Sequence, residues 1–245
     1  MKRIAVVAAA VGLFSGAAVA APMVPNFNND GKPDLFDAVN LLLGTSFAGN
    51  DEISSMKIAD SSDQLFRLNN NETPLIGLTA SNTNVFGHYT DPGVGSAMFD
   101  TVPALPGAPG FGTTGSGTSA DPFDGTRFSP DPGNAVIGFF LRSNANVFYS
   151  QESLNADGDH MIAYSLGQLT TYVDFNDGNG AVPLSLKNAV LLGFEDQRLP
   201  GDLDYDDTMF VVDAQPVPVP AAGAMLAGVI ATLAGFRQLR QARAS

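Results

Sequence analysis

Gly193-Phe194-Glu195-Asp196-Gln197-Arg198-Leu199-Pro200-Gly201-Asp202-Leu203-Asp204-Tyr205-Asp206-Asp207 lies between two apolar, β-branched or aromatic runs, at 190–194 and 208–212. The runs read as strands, and the stretch between them as a loop with six carboxylates in thirteen residues and only Arg198 to offset them. Like charges packed on one turn repel unless they are solvated or bridged by a cation. Phe194, Tyr205, Met209 and Phe210 imply close packing here, which argues against a purely solvated loop. Glu195, Asp196, Asp202, Asp204, Asp206 and Asp207 are therefore candidate ligands of Ca²⁺, a hard cation that prefers carboxylate and carbonyl oxygens.

The same alternation of short β-rich runs and Asn, Asp, Gly or Pro breaks extends along the chain. Further strands are expected at 64–68, 84–89, 135–141, 146–150, 160–166, 169–175 and 188–195, with turns at Asn69-Asn70-Asn71, Asp157-Gly158 and Asp177-Gly178-Asn179-Gly180. This spacing predicts a mainly β chain folded as an antiparallel β-sandwich over residues 51–213. Residues 91–134 alternate Pro with Gly and read as one long Gly/Pro loop, not as a strand pair. Gly112-Thr113-Thr114-Gly115-Ser116-Gly117 is not a phosphate-binding loop, because no Lys-Ser/Thr follows at the required spacing.

The clearest helix is Leu35–Leu43, with Leu35, Val39 and Leu42/Leu43 on one face and Gly44 as its stop. Ahead of it, residues 26–37 fit a twelve-residue EF-hand loop. Asn26, Asn28 and Asp30 stand at ligand positions 1, 3 and 5, and Gly31 makes the turn. Lys32 offers its backbone carbonyl at position 7, Asp34 stands at position 9, and Asp37 closes the loop at position 12. Asn26 and Asp37 depart from the usual Asp and Glu, which lowers the charge and shortens the last ligand. An Asx-rich turn capping a helix is the plainer alternative. Loop and helix, assigned to residues 21–50, resemble half of a dockerin module. No convincing second copy is present, so cohesin binding is not expected.

Composition narrows the functional classes. All 25 acidic residues fall between Asp30 and Asp213 with only seven of the 12 basic ones, a net charge of −18 against −13 for the whole chain. Such a surface repels nucleic acid and attracts cations, so nucleic-acid binding is not expected. There is no Cys to form a disulfide, which leaves the core and bound metal as sources of stability.

Both ends read as targeting segments. Residues 1–20 have the form of a signal peptide: Lys2 and Arg3, an apolar run to Phe14, and Ala18-Val19-Ala20 as a cleavage site. Residues 214–245 end in an apolar helix, sixteen residues from Ala221 to Phe236, followed by Arg237, Arg240 and Arg243. This is slightly under the length that spans a bilayer, and the arginines place residues 21–220 outside. Val217-Pro218-Val219-Pro220-Ala221-Ala222-Gly223, the helix and the Arg cluster resemble the VPLPA variant of the PEP-CTERM sorting signal, with Val219 in place of the usual Leu. The resemblance implies recognition of residues 217–243 by an exosortase-type enzyme, transient anchoring in the inner membrane, and association with exopolysaccharide at the cell surface.

The acidic loop carries a second resemblance. Leu192-Gly193-Phe194-Glu195-Asp196, then Gly201-Asp202-Leu203-Asp204-Tyr205-Asp206-Asp207, then Phe210, is similar to the C-terminal signature of the DUF4114 domain, with Asp206 for the usual Asn. Ile137-Gly138-Phe139-Phe140-Leu141, Phe148-Tyr149-Ser150 and Leu154-Asn155-Ala156-Asp157-Gly158-Asp159-His160 fit the same pattern, so the resemblance covers about 135–213. It implies a β-rich module of exported bacterial proteins and no general enzymatic activity.

Catalysis finds little support. The two histidines, His88 and His160, read as structural, and Ser165 lacks the first Gly of a nucleophile elbow. The acids cluster beside Gly, which suits coordination better than a raised-pKa general acid, and there is no Trp for sugar stacking. The expectation is an exported, Ca²⁺-stabilised structural or adhesive protein of an extracellular matrix or biofilm, not an enzyme. The alternatives are a carbohydrate-binding module using Tyr89, Tyr149 or Tyr172, and, further behind, a glycoside hydrolase.

Overall fold

Leu35, Val39 and Leu42 recur at helical spacing, and Leu35–Leu43 forms the expected helix, α1. Its start is a capping box: the Asp34 side chain accepts the Asp37 N–H, and the Asp37 carboxylate accepts the Asp34 N–H at 3.2 Å. Gly44 ends it in the left-handed region at φ 64°. Leu35, Phe36, Ala38, Val39 and Leu42 are buried, each large side chain contributing about 2 kcal/mol of hydrophobic stabilisation.

The computed structural model describes residues 34–60, 65–69, 73–80, 84–90, 98–101, 116–128, 136–143, 145–175, 177–198 and 203–217. The expected signal peptide, the calcium loop ahead of Asp34 with Asn26, Asn28, Asp30 and Lys32, Asp202, and the C-terminal helix lie outside these residues. Among the described residues no helix is long and apolar enough to cross a membrane.

Among the described residues ten strands follow α1: β1 Phe66–Leu68, β2 Thr73–Ala80, β3 Asn84–Thr90, β4 Met98–Thr101, β5 Phe123–Phe128, β6 Val136–Ser143, β7 Asn146–Tyr149, β8 Met161–Asp174, β9 Ala181–Phe194 and β10 Thr208–Pro216. They form one mixed sheet in the order β2-β5-β8-β9-β10-β1-β6-β3-β4, with β7 on β6 and an additional β2–β10 pairing. Because β2 pairs with both β5 and β10, the pairings β2-β5-β8-β9-β10 return to their start and close a ring. The closure rests on two residue pairs of parallel β5–β8, Phe123↔Val173 and Asp124↔Asp174; the other pairings are antiparallel. The fold is thus mainly β, a curled, mixed sheet that matches the expected antiparallel sandwich only in part: the strands pair antiparallel except at β5–β8.

Alternation along the strands sorts side chains into two cores. Ile162, Tyr164 and Leu166 of β8, Leu191 of β9 and Met209 and Val211 of β10 face Ile76, Phe123 and α1. Their neighbours Met161, Ala163, Val190, Leu192, Phe194, Phe210 and Val212 face Phe66, Phe86, Ile137, Phe139 and Leu141 of the covering strands β1, β3 and β6. The start of β8 to Tyr164, the end of β9 from Ala189 and β10 to Ala214 are therefore buried on both faces, which accounts for the nearly unbroken apolar run Ala189 to Phe194.

Three elements differ from expectation. β8 is one strand where two were expected, because Gly167, at φ 71°, sits between two register shifts and bends the strand without ending it. β4 and β5 lie inside the expected long loop at 91–134; β5 holds Gly125 and polar residues and is stabilised by its partners, not by its composition. β2 was not expected because Pro74 and Gly77 argue against a strand; Pro74 stands one residue from its start.

Two local devices complete the frame. Asn155 closes the outer edge of β7: its Oδ1 accepts the Tyr149 N–H and its Nδ2 donates to the Tyr149 carbonyl, both at 2.8 Å. Tyr89 is fully buried, and its hydroxyl donates to Gln151 Oε1 at 3.1 Å and lies 3.4 Å from Ser150 Oγ. Burial raises the Tyr89 hydroxyl to about 12. Gly138 is required beneath that ring, since a Cβ there collides with the phenol.

Candidate metal centre

The acidic loop joins the buried end of β9, from Ala189 to Phe194, to the buried start of β10. Glu195 follows Phe194 directly and is completely buried. Its N–H donates to the His160 carbonyl at 3.0 Å, while its carboxylate accepts the N–H of Gln197 at 3.2 Å through Oε1 and of Leu203 at 3.0 Å through Oε2. Both oxygens are thereby fixed by the loop's own backbone. Asp196 donates its N–H to Asp207 Oδ2 at 3.0 Å, which brings the far end of the loop back over the near end.

Asp196 also reaches the covering strands. Its Oδ2 accepts Asn84 Nδ2 of β3 at 2.9 Å and lies 3.5 Å from the Ser143 hydroxyl of β6, and Asn84 and Ser143 are themselves register partners. Glu195, Asp196 and Asp207 each place a carboxylate oxygen within 4.8 Å of the other two. At an effective dielectric of about 20, each charged pair at that separation repels by about 3.5 kcal/mol. The set is all oxygen, which suits a hard cation and not a thiolate- or imidazole-seeking metal.

The chain between Leu203 and Asp206 is tightly turned. Leu203 and Tyr205 lie in the left-handed region at φ 62° and 58°, a conformation costing a non-glycine residue on the order of 1 kcal/mol. Packing holds them there. Tyr205 is buried, and its hydroxyl donates to the Asp159 carbonyl at 3.2 Å. Asp204 and Asp206, on either side of Tyr205, are 1% and 2% exposed, with the Asp206 N–H donating to Asp204 Oδ1 at 3.4 Å. Gly193 is needed opposite, because a Cβ there comes 2.5 Å from the Tyr205 carbonyl oxygen and 2.8 Å from Leu35 Cδ2.

Of the second-loop ligands expected from sequence, Glu195, Asp196 and Asp207 converge, while Asp204 and Asp206 are buried in the adjoining turn. Asp37 of the first loop is exposed and engaged in the helix cap. Sequence reasoning missed Asn84 and Ser143, which no local pattern connects to the loop. His160 is structural, fully buried against Phe148 with ring centroids 4.3 Å apart and its Nε2 3.0 Å from Asp157 Oδ1. Beside it, burial raises the Asp159 carboxyl to about 7 despite the Met161 N–H it accepts, with Asp60 and Glu152 adding to the rise and Lys57 opposing it. Of the tyrosines considered for sugar stacking, Tyr89 is buried beneath Gln151, Tyr149 packs edge-on against it at 5.4 Å, and Tyr172 is partly buried.

Two solved lectin structures superpose loosely on the chain. The C-terminal domain of BC2L-C lectin from Burkholderia cenocepacia does so at 15% identity and a TM-score of 0.33, covering 66% of this chain and 99% of its own. The Chromobacterium violaceum lectin CV2L, solved in complex with alpha-methyl-fucoside, does so at 15% identity and a TM-score of 0.30, covering 63% and 97%. Superpositions this loose do not establish a common fold. No curated protein matches the chain. Residues 130–215, which contain β6 to β9, the acidic loop and nearly all of β10, match the family described as Domain of unknown function (DUF4114).

Proposed function

We propose that this is an exported cell-surface or extracellular-matrix protein, structural or adhesive and without catalytic activity, whose β domain is braced by Ca²⁺. The observation that carries the reading is the convergence of Glu195, Asp196 and Asp207 at the junction of β9 and β10. Three mutually repelling carboxylates close to a buried strand end become a stabilising element once a divalent cation sits among them. Export, processing by an exosortase-type enzyme and association with exopolysaccharide rest on the two terminal segments described from sequence.

The test is thermal unfolding of the full chain in EDTA and in 10 mM Ca²⁺, for wild type and Asp207→Asn. Extracellular calcium modules bind with dissociation constants of about 10⁻⁴ to 10⁻³ M. At the tighter end of that range, 10 mM Ca²⁺ adds about 2.7 kcal/mol, an increase in Tm of roughly 5–10 °C. The rise should vanish in Asp207→Asn. An unchanged wild-type midpoint would reject the cation.

A carbohydrate-binding module is the second reading, and Tyr172, partly buried opposite Pro183, is the residue it would use. A glycan array probed with and without Ca²⁺ separates the two, because a scaffold shows no sugar preference. Sugar binding abolished by Tyr172→Ala would favour the module.

A further inference from the structure

Asn84 opens β3 and meets the acidic loop from the covering layer. Its Nδ2 donates to Asp196 Oδ2 and to Thr208 Oγ1, both at 2.9 Å. The other half of the same amide is not used in this way. Asn84 Oδ1 is buried and has no hydrogen-bond donor among the described residues. A buried amide oxygen without a partner is costly, and native structures rarely retain one without a reason.

The Nδ2 bond to Asp196 bounds how far that oxygen lies from the acidic loop. The O and N atoms of an amide are about 2.2 Å apart, so Asn84 Oδ1 lies within about 5 Å of Asp196 Oδ2. Two oxygens that share a Ca²⁺ ion, each 2.3–2.6 Å from it, are at most about 5 Å apart. Asn84 Oδ1 is therefore within reach of an ion held by Asp196, and an amide oxygen is an ordinary Ca²⁺ ligand. The Nδ2 bonds to Asp196 and Thr208 hold the amide plane, as outer hydrogen bonds commonly orient a ligand.

We propose that Asn84 is a ligand of the cation held by Glu195, Asp196 and Asp207, so that the ion fastens β3 to the β9–β10 loop. The inference rests on the Ca²⁺ reading above and adds to it a neutral oxygen from a distant strand. A ligand set contributed by two layers makes the ion a clasp between the ring and its covering strands, and not merely a neutraliser of one loop.

Calcium titration calorimetry on the full chain tests this with wild type, Asn84→Ala and Asn84→Asp, each also unfolded thermally in EDTA. Asn84→Ala should weaken Ca²⁺ binding at least tenfold. Asn84→Asp keeps an oxygen and adds charge, so it should unfold at a lower temperature than wild type in EDTA yet show a larger Ca²⁺-induced rise. If Asn84→Ala fails to fold, the Asn84→Asp comparison decides alone. A wild type that binds Ca²⁺, with both variants inside twofold of its affinity, overturns the Asn84 assignment and leaves the metal centre standing. A wild type that binds no Ca²⁺ overturns both.

Discussion

Gly193→Ala is the substitution on which the packing of the acidic loop can be tried most directly. The new methyl comes 2.5 Å from the Tyr205 carbonyl oxygen, 2.8 Å from Leu35 Cδ2 and 3.4 Å from Ile162 Cγ2. Leu35 is a flexible chain end and turns aside, but the Tyr205 oxygen is backbone and must retreat by about 1 Å to reach ordinary contact. That retreat strains a residue already at φ 58° and loosens the Tyr205 hydroxyl from Asp159. Overpacking of about 2 kcal/mol and one hydrogen bond of about 1 kcal/mol give a loss of about 3 kcal/mol. For a domain of this size that is roughly 6–12 °C in Tm. Gly49→Ala, whose added methyl meets nothing within 4 Å, is the control and should lie within about 0.5 kcal/mol of wild type. Calorimetry or guanidinium unfolding in EDTA reads both. A Gly193→Ala midpoint indistinguishable from that of Gly49→Ala would refute the close seating of the loop on β9.

Further consequences can be measured with the same preparation. Asp159 is raised to about 7 from 3.8, so the folded state keeps a proton that the unfolded chain releases; in EDTA, stability should fall by a few kcal/mol as pH rises from about 4 to 7 and then level off, and Asp159→Asn should flatten that slope. Val39→Ala removes a fully buried side chain of α1 and should cost about 2–4 kcal/mol in a denaturant titration, whereas Leu43→Ala, only partly buried, should cost less than half as much. Tyr89→Phe deletes the hydroxyl bonded to Gln151 and should lower stability by about 1 kcal/mol in a denaturant titration. Asn155→Ala uncovers the backbone of Tyr149, and light scattering at high concentration should show association that the wild type resists.

What the sequence discloses follows from the range of the interactions. α1 is legible to the residue, because its apolar spacing, Asp34 cap and Gly44 stop are all local. The apolar runs of β9 and β10 announce themselves because both faces are buried. β2 and β5 do not, since Pro74, Gly77 and Gly125 weaken their local preference and pairing across the ring stabilises them instead. Ring closure is likewise illegible, because Phe123↔Val173 is a tertiary fact with no local trace. The candidate metal centre divides in the same way. Its carboxylates stand out as one charged run, while Asn84 is joined to Asp196 only when β3 is laid over the ring.

The first strand of the described domain is hydrogen-bonded to the last: Phe66 pairs with Pro216, and β2 pairs with the start of β10. A nascent chain emerging from its amino end therefore carries β1 and β2 without their principal partner until almost the whole domain has been made. Native assembly has to wait for synthesis to finish, and so dominated is it by distant pairings that it belongs to the slow end of two-state folding.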